Sequence, residues 1–134
     1  MKEGRMRGSF VAAVFAAVAC LAAARGAHAQ VVISIEGDCP GRIALRWDGA
    51  TPDRPAGLVF ALTRGNYNIG FGRCENTVLG VGSSLRLVRT LDTGPTGSGV
   101  LSGLAPRAAC GGVMQMIVWH GNPCETSNVV DVPQ

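Results

Sequence analysis

The sequence has few of the side chains that acid–base catalysis uses. The 134-residue chain has 16% charged and 5% aromatic residues, and Lys2 is its only lysine. Beyond residue 29 the only histidine is His120. Because histidines and lysines supply much of general acid–base and nucleophilic catalysis, this composition argues against an enzyme. We therefore predict that no residue of the chain is catalytic.

Patterns for metals, cofactors and phosphate are also missing. Zinc sites commonly pair cysteines roughly two to four residues apart. Here, 34, 35 and 13 residues separate Cys39, Cys74, Cys110 and Cys124 in turn. The glycine-rich segment 65–82 lacks the lysine and the following helix of a phosphate loop, and no Gly-x-Ser-x-Gly elbow occurs. We predict no metal site and no cofactor-binding site.

The first 29 residues have the pattern of a secretory signal peptide. Basic residues at the start precede an apolar run at 10–24, and Ala27 and Ala29 are small residues at the positions that signal peptidase reads. The run has about fifteen residues, fewer than the roughly twenty that cross a bilayer as a helix. We predict cleavage between Ala29 and Gln30, so that residues 30–134 form the folded protein.

Removing this leader changes the charge of the protein. The whole chain has a formal net charge of +3, whereas residues 30–134 contain eight arginines and eight acidic residues. A neutral chain has no cationic excess to displace counterions from nucleic acid or to bind anionic lipids. We therefore predict that neither nucleic acid nor a membrane surface is a partner.

Cys20 leaves a second processing route open. The segment 17–20 loosely resembles a bacterial lipoprotein cleavage site, in which Cys20 would carry the lipid. Acyl chains on this cysteine would tether the protein to a membrane, whereas cleavage after Ala29 makes it secreted or periplasmic.

Four cysteines follow the predicted cleavage site, and an even number in a small exported domain predicts disulfide bonds. Three pairings are possible. We favour Cys110 with Cys124, because residues 121–123 have the composition of a hairpin turn between them. That pairing leaves Cys39 with Cys74.

Alternation of apolar and polar residues dominates residues 30–134 and predicts an all-β fold. About seven short strands separated by turns indicate a single antiparallel sandwich of the immunoglobulin or fibronectin III type. We expect the segment 65–82 to be an irregular edge or a long loop. The predicted strands lie near 31–36, 42–47, 56–62, 86–91, 100–104, 113–120 and 128–132. The predicted core consists of Ile33, Ile43, Leu45, Trp47, Leu58, Phe60, Leu62, Leu85, Leu87, Met116, Val118 and Val130.

Residues near the carboxyl end of the predicted strand 113–120 form a candidate contact surface. If Met116 points inward, Ile117 and Trp119 point outward, and aromatic residues are enriched at protein interfaces. In the alternative arrangement, Trp119 packs under the segment 65–82 or over a disulfide. The candidate contact residues are Ile117, Trp119, His120, Tyr67 and Phe71.

Turn and cysteine motifs along residues 30–134 resemble a known module. The motifs are Gly-Asp-Cys-Pro-Gly at 37–41, Gly-Ala-Thr-Pro at 49–52, Cys74 before Val-Leu-Gly at 78–80, Cys-Gly-Gly at 110–112 and Cys-Glu-Thr-Ser-Asn-Val-Val at 124–130. Together they resemble a small disulfide-bonded β-sandwich module of exported myxobacterial and planctomycete proteins. That module is similar in outline to fibronectin type III domains, and the resemblance implies a fold but no activity.

The sequence thus predicts an exported, non-enzymatic sandwich that serves as a surface or extracellular interaction module. Its expected partner is an unknown protein or envelope component. Two alternatives remain open. One is a small secreted hydrolase that uses His120 or a pair of carboxylates, and the other is a protease inhibitor that presents the loop 48–55.

Overall fold

The computed structural model describes residues 30–134, so Cys20 and the predicted signal peptide, including Ala29, lie outside the described residues. This part of the chain contains ten strands and a short 3-10 helix at Arg107–Ala109. The strands are β1 (Val32–Gly37), β2 (Gly41–Asp48), β3 (Pro55–Ala61), β4 (Arg64–Asn68), β5 (Val78–Val81), β6 (Arg86–Asp92), β7 (Gly99–Ala105), β8 (Val113–Val118), β9 (Glu125–Thr126) and β10 (Val130–Asp131).

Two antiparallel sheets pack against each other around the main core. One sheet has the order β1-β2-β7, and the other has the order β10-β8-β3-β6, with β9 also paired to β8. Alternate residues of each strand point inward, so Ile33, Leu45 and Trp47 of the first sheet meet Leu58 and Met116 of the second. The prediction of an all-β fold with packed antiparallel sheets is confirmed.

A β-hairpin forms a third layer over the outer face of β8. The strands β4 and β5 pair with each other at the two ends of the segment 65–82, so these ends are regular strands and only residues 69–77 between them form a loop. Leu79 and Val81 of the hairpin are fully buried against Val113 and Ile117 of β8. All six residues of β8 are buried, because the strand is covered on both faces.

Gln115 is the polar side chain within this covered strand, and both ends of its amide are bonded. Its Oε1 accepts a hydrogen bond from the backbone N–H of Gly80 at 2.9 Å, and its Nε2 donates to the carbonyl oxygen of Ser127 at 2.8 Å. Unpaired polar groups are costly in the interior, so these bonds are what allow the amide to be buried. They also tie the hairpin layer to the second sheet.

The disulfide pairing predicted from the sequence is wrong. Cys39 bonds to Cys110 and Cys74 bonds to Cys124, with Cα–Cα distances of 5.4 and 5.2 Å. The strand β8 runs extended between Cys110 and Cys124, and its six residues alone span about 20 Å, too far for one bond. Cys39 belongs to the core between the two sheets and Cys74 to the core under the hairpin, so these two could not pair either.

Two residues predicted for the core are exposed instead, Leu62 by 62% and Leu87 by 55%. Leu62 follows the last residue of β3 and so lies beyond the packed part of that strand. The register between β3 and β6 shifts after Leu58, so that Leu87 lies opposite Val59, whose side chain faces the hairpin side of the sheet. The other predicted core residues are buried or half-buried.

Candidate functional site

Hydrogen bonds close the sandwich along the edge formed by β1. The Oδ1 atom of Asn128 accepts the N–H of Ile33 at 2.7 Å, and its Nδ2 donates to the carbonyl oxygen of Ile33 at 3.1 Å. The backbone N–H of Asn128 also donates to the carbonyl oxygen of Val31 at 3.3 Å. A side chain from the second sheet's side thus satisfies backbone groups of β1, and the two sheets are joined there.

The opposite edge of the sandwich is open. Within the described chain, β6 pairs only with β3 and β7 pairs only with β2, so each is an edge strand of its own sheet. A cleft of about 470 Å³ lies between these edges and continues into a smaller space of about 140 Å³. Ile43 and Leu104 line both spaces, so the two spaces are adjacent.

Apolar side chains form most of the larger part of this cleft. They are Ile43, Phe60, Leu62, Val88, Leu104 and Met114. At its mouth, Leu62, Val88 and Leu104 are 62%, 50% and 77% exposed. A contiguous apolar surface rimmed by polar residues is the usual mark of an interaction site on a soluble protein.

Gly103 leaves room inside the cleft. It lies opposite Ile43 in the pairing of β2 with β7, and residues opposite each other point to the same face of a sheet. A Cβ atom at Gly103 would have no heavy atom within 4 Å. Because Ile43 borders the cleft, the missing side chain at Gly103 keeps that part of the cleft empty.

Two arginines supply the charge of the cleft. Arg86 lines the larger part and Arg89 lines the smaller part, with no acidic residue in either lining. Among residues 30–134, the one ion pair joins Arg64 to Asp131, so no carboxylate of this region is paired with Arg86 or Arg89. Guanidinium groups over an apolar floor suit a ligand that has both apolar groups and carboxylates.

The strand β7 has an unprotected free edge. Edge strands usually carry charges, prolines or bulges that prevent pairing with another chain. The strand β6 has Arg86, Arg89 and a shifted register, but β7 reads Gly-Val-Leu-Ser-Gly-Leu-Ala and has no charged residue. Its backbone N–H and C=O groups on the side away from β2 face no other strand of the described chain.

A second, more polar pocket of about 480 Å³ lies beside His120 and is also lined by Thr51 and Glu125. Both carboxylate oxygens of Glu125 hold Thr51, one on its backbone N–H and one on its hydroxyl, each at 2.8 Å. Within the described chain, the side chain of His120 makes no hydrogen bond to either residue. Glu125 therefore anchors the loop that contains Thr51.

The loop 48–55, the segment considered for a protease inhibitor, is held down along its length. The N–H of Ala50 donates to the carbonyl oxygen of Gly97 at 3.1 Å, and the N–H of Asp53 donates to that of Gly94 at 2.9 Å. The backbone turns at Asp53, where φ is +54°. These bonds hold the loop in one conformation.

The predicted contact residues do not form one exposed patch. Ile117 is only 7% exposed, because the hairpin of β4 and β5 covers it. Trp119 and Tyr67 are half-buried and pack on the same cluster. Phe71 is 80% exposed, and His120 is exposed at the polar pocket.

The sequence interpretation assigned no binding role to the residues of the cleft, and it placed Ile43, Phe60 and Leu62 in the core. Arg86 and Arg89 lie on β6, and Gly103 and Leu104 lie on the next strand, β7. The two strands belong to different sheets, and only the sheet order shows that both lie at the same edge of the sandwich. One signal was present in the sequence, since the predicted strand 100–104 has no charged residue. A charge-free strand at an edge is a candidate for pairing with another chain.

Comparison with known proteins identifies no family for this small, disulfide-bonded protein of antiparallel sheets. No family model matches the chain, and neither a curated protein nor a solved structure matches it. In residues 30–134 we find no helix long and apolar enough to span a membrane, and no group of three or more side chains suited to hold a metal ion. The two disulfides favour an oxidising, extracytoplasmic environment.

Proposed function

We propose that this protein is a non-enzymatic interaction module of an extracytoplasmic compartment, and that it binds an apolar segment of a partner protein in the cleft between β6 and β7. The observation that carries the proposal is the cleft itself. It lies between two edge strands, and the apolar side chains at its mouth are at least half exposed. The opposite edge of the sandwich, by contrast, is closed by Asn128.

The proposal includes the finer features of fold and location. Two packed antiparallel sheets support a sandwich of the immunoglobulin or fibronectin III type. Two disulfides support export, because such bonds persist mainly in oxidising compartments. Residues 1–29 would then be a signal peptide removed before Gln30, with a membrane tether only if Cys20 is lipidated.

Burial of the cleft mouth gives a rough scale for the affinity. Covering the exposed parts of Leu62, Val88 and Leu104 would contribute about 1 to 2 kcal/mol for each side chain. Association also costs translational, rotational and side-chain entropy, which offsets part of that gain. These three side chains alone support a dissociation constant of only about a millimolar, so tighter binding of a short segment requires additional contacts.

A displayed library of random twelve-residue peptides tests the proposal with three forms of the oxidised protein. Leu104→Ser removes an apolar side chain from the cleft mouth, and Val100→Ser removes one of 51% exposure from the same strand outside the cleft. We expect apolar peptides enriched on the wild type to bind Val100→Ser equally and to bind Leu104→Ser about tenfold more weakly. Equal binding by all three forms, or no enrichment on the wild type, would overturn the proposal.

A further inference from the structure

We infer that the bound segment is an extended peptide with acidic side chains, which adds as a strand to the free edge of β7 and places its carboxylates on Arg86 and Arg89. This inference rests on the proposed function and names the chemistry of the partner. Three observations support it independently: the free edge of β7, the space at Gly103 and the two arginines without a carboxylate partner.

The free edge of β7 determines the conformation of the partner. A peptide that pairs with an edge strand gains a row of main-chain hydrogen bonds, and its side chains alternate between the two faces of the enlarged sheet. The strand β7 has seven residues, so a segment of about that length would cover it. Every second side chain of that segment would point into the cleft.

The space at Gly103 determines where an apolar side chain enters. A side chain next to Gly103 on the inward face would meet no heavy atom near the glycine and would lie beside Ile43 and Leu101. A leucine or valine opposite Gly103 therefore fits there. Gly103 borders the part of the cleft lined by Arg89, and the adjacent Leu104 also borders the part lined by Arg86.

The arginines determine the charge of the partner. The two facing sheets of a sandwich lie about 10 Å apart, so inward side chains of a strand added to β7 would approach the arginines of β6. Carboxylates would form charge-assisted hydrogen bonds with the guanidinium groups, which otherwise line the cleft without an acidic neighbour. A second copy of this chain fits less well, because its own β7 contributes no carboxylate.

The experiment uses a blocked peptide, acetyl-Thr-Glu-Thr-Leu-Thr-Glu-Thr-amide, and a twin with glutamine in place of both glutamates. Leucine and the two glutamates share one face of this peptide when it is extended. Each peptide is titrated into the ¹⁵N-labelled oxidised protein, and NMR gives the dissociation constant and the hydrogen exchange of the β7 amides. We expect the acidic peptide to slow exchange along β7 and to bind roughly tenfold more tightly than its twin.

Two variants locate the interaction. The double variant Arg86→Gln with Arg89→Gln should bind both peptides equally. High salt should weaken the binding of the acidic peptide to the wild type but not to the double variant. Gly103→Leu should weaken the binding of both peptides about tenfold, because the added side chain fills the space that the leucine of the peptide would occupy. Val100→Ser is the matched control and should bind like the wild type.

The outcomes separate this inference from the proposed function. Equal binding of the two peptides, or binding without protection of the β7 amides, overturns the inference. The proposed function stands in that case if the wild-type protein still binds apolar peptides from the library. Dimerisation of the protein through β7 would assign the cleft to a second copy of the chain. Displacement of bound peptide by decanoate, without protection of the β7 amides, would assign the cleft to an amphiphile. Either result also overturns the inference. Failure of both the library and the two peptides overturns both proposals.

Discussion

The indole ring of Trp47 lies directly against the backbone of Gly99, the residue opposite it on β7. The Nε1 atom of Trp47 donates a hydrogen bond to the carbonyl oxygen of Thr93 at 3.1 Å, so the ring is also held at its polar end. Trp47 is 9% exposed. Because the ring occupies the place that a side chain at position 99 would take, the two residues share one packing site.

A methyl group at position 99 should therefore destabilise the protein. Gly99→Ala would place a Cβ atom inside the contact distance of the Trp47 ring, with Cη2 at 2.7 Å. We expect the free energy of unfolding to fall by about 1 to 3 kcal/mol, the usual cost of overpacking. Urea unfolding measures it. Gly103→Ala is the control on the same strand and should change stability by less than about 0.5 kcal/mol, since its Cβ meets open space. Equal losses in both variants would contradict this packing.

The disulfide pairing predicts a specific result in peptide mapping. The last arginine is Arg107, so trypsin leaves Cys110 and Cys124 on one peptide. Under non-reducing conditions this peptide should be joined to the peptide of Cys39 and to that of Cys74. Cyanogen bromide then cleaves at Met114 and Met116, and should release Cys39 with the Cys110 fragment. A tryptic peptide that links only Cys39 with Cys74 would contradict the structure.

Removal of one disulfide should loosen the hairpin layer. Cys74→Ala combined with Cys124→Ala opens a link between residues 50 positions apart, which stabilises the folded state by about 4 kcal/mol in the chain-entropy model. We expect a lower unfolding midpoint in urea and faster hydrogen exchange in β4 and β5 than in β2. Uniform acceleration across all strands would show that the two cores do not open separately.

The side chain of Asn128 should matter more than its partial exposure suggests. Asn128→Ala removes two hydrogen bonds to the backbone of Ile33, and groups left without partners cost about 1 to 3 kcal/mol. We expect a loss of that size in urea unfolding, with faster exchange of the Ile33 amide. Asn66→Ala, at an exposed position of β4, is the control and should have little effect. Similar stabilities of the two variants would exclude this role.

Asp48 should contribute a small pH dependence at acidic pH. A hydrogen bond from the hydroxyl of Ser98, and a second from the N–H of Gly49 at 2.9 Å, lower the pKa of Asp48. A carboxyl group with a lowered pKa in the folded state stabilises the protein fully above its ordinary pKa of 3.8, and this contribution is lost as the pH falls below that value. The effect is modest because the group is exposed to solvent. Ser98→Ala should make the midpoint temperature of thermal unfolding less dependent on pH between pH 5 and about pH 2. An unchanged pH dependence would contradict the assignment.

The strands with strict alternation could be predicted from the sequence. In β2, Ile43, Leu45 and Trp47 point inward as expected, because one face of that strand meets the core and the other meets solvent. In β8 the alternation was misleading. Ile117 appeared to face solvent, whereas the hairpin buries it, and only a covered outer face explains apolar residues on both sides of a strand.

The cleft and the disulfides depend on relationships that no local pattern contains. The turn at 121–123 suggested that Cys110 and Cys124 lie close together, but the extended β8 between them carries them to opposite ends. Arg86 and Gly103 likewise become neighbours of one cleft because β6 and β7 end two different sheets on the same side. Charge and composition identified the kinds of residues available, while the sheet order determined which of them meet.

The complete enclosure of β8 also bears on how this protein can change over evolutionary time. Every side chain of that strand is buried, so a charged or much larger replacement at any of its six positions would meet packed atoms rather than water. The outer strand β6 has a single half-buried position and six exposed ones. Variation among proteins of this architecture should therefore accumulate at the exposed positions of β6 outside the cleft, such as Leu87 and Thr90, and slow sharply in β8. The sequence of β8 would then be the most durable trace of common descent.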